Sequence, residues 1–167
     1  CYHQSVTIEQ KGKEHTYTPD SQELQNDSLL LDGGTDGIAI PSIERAQNPP
    51  VYYGTLEIKK TAQGLLIINE LSLEAYLEAV VPSEMPASYE EQALMAQAVC
   101  ARTYAVCQIQ ENSLEKYGAD VDDSVNYQVY NNFGADKRTN KAVQDTKGQI
   151  LCQNGEPITA YYFSTSA

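Results

Sequence analysis

The segment Val80-Val81-Pro82-Ser83-Glu84-Met85-Pro86 holds a single carboxylate between two prolines. Pro82 fixes its own φ and lacks an N–H, and Pro86 pushes Met85 into an extended conformation, so the spacing predicts a stiff, non-helical elbow carrying Glu84. Val81, Met85 and the apolar sequence on either side should partly desolvate its carboxyl group. Desolvation favours the neutral acid, the form that a general acid needs. A polar residue in an ordinary helix connection satisfies the same spacing. Other chemistries find less support. His3 and His15 have no cysteine or carboxylate at metal or triad spacing, and no glycine-rich phosphate loop is present. Asp120 to Asn126 alternates oxygen side chains as a calcium loop begins, but Val125 stands where the glycine belongs and Asn131 where the closing glutamate belongs.

Two helices must carry this elbow. Leu73, Tyr76, Leu77 and Val80 fall at i, i+3, i+4 and i+7 behind Ser72, which predicts a short helix over about 72–80, stopped by Val81 before Pro82. Ser88 and Glu91 form a potential capping box for a second helix over about 88–110. Between Ala93 and Cys107 its strongly polar residues are Gln97, Arg102 and Thr103, so apolar positions cover nearly the whole circumference and the helix should be central. A guanidinium in such a helix requires an anion or several carbonyls, whether from a structural ion pair, from the site, or by snorkelling to water.

Around these helices the pattern is β. Val6 and Ile8 alternate with polar neighbours, Gly37 to Ile40 leads to Pro41, and Leu56–Lys60 and Leu65–Ile68 flank Gln63-Gly64 as a hairpin. Near the end, Gln149–Cys152 and Pro157–Phe163 flank Asn154-Gly155, a hairpin-turn dipeptide. Tyr127-Gln128-Val129-Tyr130 alternates like a half-buried strand, or like one whose Gln128 and Tyr130 point into a groove. The fold class expected is α+β, with short antiparallel sheets packed around the central helix. A β-rich region over 1–52 and a core over 53–167 should form one compact unit.

The chain has 167 residues and a formal net charge of −12, which repels a phosphate backbone and argues against nucleic acid as a partner. Twelve tyrosines stand beside two phenylalanines and no tryptophan, a balance suited to a wet groove, because tyrosine offers both an apolar face and a hydroxyl. No stretch approaches the roughly 18 apolar residues of a membrane span. An anchor or export signal is therefore expected outside this sequence, unless Cys1 is itself lipidated. Cys100 and Cys107, seven residues apart on one helix, are separated by about 10.5 Å of rise, beyond the reach of a disulfide.

Three ordered stretches together resemble the stage II sporulation protein D family, which includes the amidase enhancers of bacterial walls. They are Ile68 to Leu77, Val80 to Pro86, and Ala93 to Ala105, followed by Tyr127-Gln128-Val129-Tyr130 and by Tyr161-Tyr162-Phe163-Ser164-Thr165-Ser166. The resemblance is strong over residues 53–167 and only general over 1–52.

It implies a lytic transglycosylase that cuts peptidoglycan between N-acetylmuramic acid and N-acetylglucosamine, preferring strands stripped of stem peptides by an amidase, in endospore engulfment or wall remodelling. It implies that Glu84 is the catalytic acid. The family positions further suggest Ser83, Gln128, Tyr130, Ser164 and Ser166 as sugar-binding residues, and Arg102 and Gln97 as supports of the elbow or of Glu84. Some members hold zinc on a His/Cys set near the segment before Gln-Val-Tyr. Asp122 to Tyr127 has neither residue type, so neither zinc nor any cofactor is expected. The family usually continues Ser-Thr-Ser with a glycine pair, so the core is expected to be truncated at Ala167. The rival implication is a non-catalytic wall-binding module that recruits or enhances an amidase. Either role belongs outside the cytoplasm, facing the wall.

Overall fold

Lys11 and Gly12, both at positive φ (52° and 72°), turn strand β1 (Val6–Gln10) back on β2 (Lys13–Tyr17) in the two-residue hairpin geometry that matches strand twist. In the computed structural model, which describes residues 1–43, 49–123, 126–132 and 136–162, two compact units emerge, Cys1–Ser72 and Leu73–Ala167. Strand β3 (Ser28–Asp32) lies in a second sheet, while β4 (Ile38–Ala39) and β5 (Val51–Tyr52) extend the first to the order β2-β1-β4-β5. The second sheet has the order β3-β6-β7, with β6 (Thr55–Thr61) and β7 (Gly64–Glu70) joined as the expected hairpin. Strict alternation along β6 buries Leu56 and Ile58, while Thr55, Glu57 and Lys59 remain partly exposed.

The boundary between the two units falls after Ser72. The reason is the ladder: β6 pairs with β3 on one edge and with β7 on the other, which ties residues 55–70 to the first unit.

The second unit is helical. Helix α1 (Leu73–Glu84) ends four residues beyond the expected 72–80 helix and passes through Pro82. A proline removes one backbone donor but does not break a helix whose neighbours compensate. Val80 and Val81 are fully buried, and the Val81 carbonyl still accepts from Met85 N at 2.9 Å. The Ser83 hydroxyl donates back to Ala79 O at 2.7 Å. Glu84 is therefore the last helical residue, and the stiff non-helical elbow gives way to a helix terminus.

Helix α2 (Glu91–Glu111) is the expected central helix, but it begins three residues after Ser88. Ser88 lies in a turn closed by Tyr89 N to Pro86 O at 3.0 Å, so the capping box does not form, and Glu90 occupies the cap position without a side-chain bond. Ala98 and Ala101 let α1 approach closely, and Leu77, Val80 and Val81 pack there together with Val143.

Val143 belongs to α3 (Lys137–Asp145), a helix absent from the sequence reading. The Asp136 carboxylate caps it by accepting from Arg138 N and Thr139 N. Strands β8 (Cys152–Gln153) and β9 (Glu156–Pro157) form the expected Asn-Gly hairpin, shorter than its alternation suggested. Residues 127–130 join no sheet. Among the described residues no helix is long and apolar enough to cross a membrane.

Candidate active site

Burial of α1 against α2 fixes where Glu84 can reach. Its Oε1 accepts the backbone N–H of Val129 at 2.8 Å and the hydroxyl of Tyr162 at 3.4 Å. Among the described residues Oε2 makes no such bond. The carboxyl group lies on the wall of an open pocket of about 330 Å³ lined by Tyr104, Tyr127, Tyr161 and Tyr162 with Asn126 and Val129. All of these lining residues belong to the second unit. Among the described residues the lining contains one acid, no base and four aromatic rings. Such a surface can stack on apolar sugar faces and hydrogen-bond to hydroxyls, and it carries a carboxyl group.

Beneath the pocket lies a second layer of tyrosine. Tyr76 stacks on Tyr130, with centroids 5.4 Å apart and planes 13° from parallel. The Tyr76 hydroxyl donates to Gln128 Oε1 at 3.2 Å. Burial raises the Tyr76 and Tyr162 hydroxyls well above the ordinary phenol range; the neighbouring negative groups add to the rise, and the Gln128 bond offsets part of it at Tyr162.

The expected site residues divide. Ser83 lies beside Glu84 and holds the opposite segment, accepting Asn131 N at 3.1 Å while it donates to Ala79 O. Tyr130 reaches the same region through its stack on Tyr76. Gln128 does not face a groove. It is 1% exposed, with its amide bonded to Ala101 O, the Tyr162 hydroxyl and Tyr76, because an amide this deep must satisfy its polar atoms within the protein. Ser164 and Ser166 lie outside the described residues.

Arg102 does not contact Glu84. Its Nε and Nη2 donate to the two oxygens of Glu74 at 2.9 and 2.8 Å, Nη2 also to Val143 O at 3.0 Å and Nη1 to Gln149 O at 3.2 Å. It is the structural ion pair, joining α1 to α2 and α3, and it holds the Glu74 carboxyl below the ordinary range. Gln97 is buried on α2, and among the described residues its Nε2 has no hydrogen-bond partner.

Sequence reasoning assigned no role to Tyr162, Tyr76, Tyr104, Tyr127 or Glu74. The tyrosine excess signalled an aromatic site without saying which rings form it. The Val129 N–H leaves no mark on side-chain pattern.

A family model described as stage II sporulation protein (SpoIID) matches residues 61–152, a span containing Glu84, Arg102 and Gln128. The chain is 41% identical to the amidase enhancer of Bacillus subtilis strain 168 over 86% of this chain and 23% of that protein. It is 39% identical to stage II sporulation protein D of the same strain and 38% identical to that of Bacillus amyloliquefaciens, in each case over 59% of this chain and 33% of the relative. The chain thus spans roughly a quarter to a third of the length of these relatives.

Proposed function

The chain belongs to the stage II sporulation protein family, and on that premise we propose that it is a lytic transglycosylase with Glu84 as its single acid and base. The substrate is a peptidoglycan strand of alternating N-acetylmuramic acid and N-acetylglucosamine, stripped of stem peptides. The observation that carries this reading is a lone carboxyl group, anchored through one oxygen on the wall of a tyrosine-lined pocket.

Oε1 is committed as an acceptor to Val129 N, so the proton of the neutral acid resides on Oε2. That proton passes to the glycosidic oxygen as the C1–O bond breaks and positive charge spreads over the sugar ring. The Oε2 carboxylate then takes the proton of the muramic acid C6 hydroxyl, whose oxygen bonds to C1 and closes a 1,6-anhydro ring. The nucleophile is part of the substrate, so the reaction dispenses with the second carboxylate that most glycosidases need. Glu84 ends each turnover protonated as it began, and no water is consumed.

The tyrosines supply faces on which sugar rings stack, and the lining offers no cation to hold charged stem peptides. Binding through hydroxyls and stacking makes the reaction insensitive to salt despite the −12 charge. The site of action is extracytoplasmic, on the wall, in engulfment or wall remodelling. An amidase that prepares stripped strands is the natural partner.

The test is incubation of the intact protein and its Glu84→Gln form with denuded strands, followed by mass spectrometry for 1,6-anhydro ends. The native protein generates them and the variant does not; equal yields from both remove Glu84 from the chemistry. A second reading, a module that binds wall and stimulates an amidase, is favoured by the 41% identity to an amidase enhancer. It predicts no anhydro ends from either form and undiminished amidase stimulation by Glu84→Gln.

A further inference from the structure

A chain of hydrogen bonds leads from the core of the second unit to the carboxyl group, and each link orients the next. The Tyr76 hydroxyl donates to Gln128 Oε1 at 3.2 Å. Gln128 Nε2 donates to Ala101 O at 3.1 Å and to the Tyr162 hydroxyl at 2.9 Å. Ala101 O can only accept, which fixes the amide with its nitrogen toward Tyr162. The Tyr162 oxygen is thereby an acceptor on one side, and its only proton is left for Glu84 Oε1 at 3.4 Å.

We propose that Tyr162 is a positioning residue for the proton transfer, its hydroxyl holding Glu84 Oε1 as a permanent acceptor so that the exchangeable proton is confined to Oε2. This rests on the reading of Glu84 as acid and base and assigns a role on which that reading is silent. The single proton of the Tyr162 hydroxyl is committed to Glu84, so it is not available to donate to sugar hydroxyls. As the proton leaves Oε2, the Tyr162 donor strengthens against the growing negative charge.

The groups facing Glu84 permit a clean test. Tyr76 lies on α1, Tyr104 on α2, and Tyr127, Tyr130, Tyr161 and Tyr162 on the segments that close over them. All are tyrosines, which do not ionise below about pH 10. The further carboxylate that bears on this cluster, Glu111, acts on Tyr104.

In the intact protein acting on denuded strands, Tyr162→Phe should lower kcat about tenfold to a hundredfold. KM should change less than twofold. Tyr76→Phe, which frees the Gln128 amide but leaves Tyr162 in place, should lower kcat by less, again with little change in KM, and it carries the test if the first variant does not fold. A raised KM with kcat unchanged makes Tyr162 a sugar-binding residue and overturns the proposal, as does the absence of any change. Failure of the underlying reading shows separately, as activity retained by Glu84→Gln.

Discussion

Replacing Arg102 by methionine keeps a flexible apolar stem of similar length and deletes the guanidinium at the centre of the second unit. The native group is 1% exposed and makes two bonds to Glu74, one to Val143 O and one to Gln149 O, all within 3.2 Å. The variant leaves a carboxylate that is only 18% exposed, together with two carbonyls, without their donor. Breaking a buried pair from one side costs about 3–5 kcal/mol, because the stranded charge must stay desolvated or tear the local structure open. Urea denaturation at pH 7 measures the loss. A second reading comes from pH. Glu74 is held below the ordinary carboxylate range chiefly by its hydrogen bonds from Arg102, so the stability it contributes is full above about pH 4.5 and is lost as pH falls through its lower folded-state value. Arg102→Met should abolish that acid-side loss, while Glu74→Gln should abolish it and destabilise less at pH 7, since Arg102 retains its carbonyl partners. An Arg102→Met protein within about 1 kcal/mol of native, with an unchanged acid profile, would refute the argument that this ion pair is the tie between the three helices.

Other perturbations probe different elements. Asp136→Ala should cost about 1 kcal/mol in the same denaturation experiment, because the N–H groups of Arg138 and Thr139 lose their shared cap, whereas Asp136→Asn should cost much less. Stability should also decline above about pH 10, where the unfolded chain releases phenolic protons that Tyr76 and Tyr162, raised by burial, retain in the folded state. A double Tyr76→Phe, Tyr162→Phe protein should show a shallower alkaline decline, followed by circular dichroism. Glu84→Gln, which retains an oxygen to accept Val129 N–H, should melt within a few degrees of native although its anhydro products vanish.

Local pattern and tertiary structure contributed differently. The alternation of Leu56 and Ile58 in β6, the two-residue turn at Asn154-Gly155, and the apolar circumference of α2 could be recognised because each is a property of a few adjacent residues. The position of Glu84 beside paired prolines was legible for the same reason, and so was the kinship carried by the ordered motifs. The end of α1 was not. Whether Pro82 stops a helix depends on how much the burial of Val80 and Val81 returns, which is settled by α2 lying against them. Helix α3 bore an aspartate cap and apolar or small residues at Thr139, Ala142, Val143 and Thr146, a signal present but weak in a polar stretch. The partner of Arg102 lies 28 residues away and the donors to Glu84 lie 45 and 78 residues away. Sequence alone singled out Glu84 as the candidate acid and α2 as the central helix. Only the folded chain decided that Gln128 turns inward, that Arg102 binds Glu74, and that a backbone N–H and a tyrosine hydroxyl share one oxygen of Glu84, because hydrogen-bond partners are selected by proximity in space and leave no spacing rule along the chain.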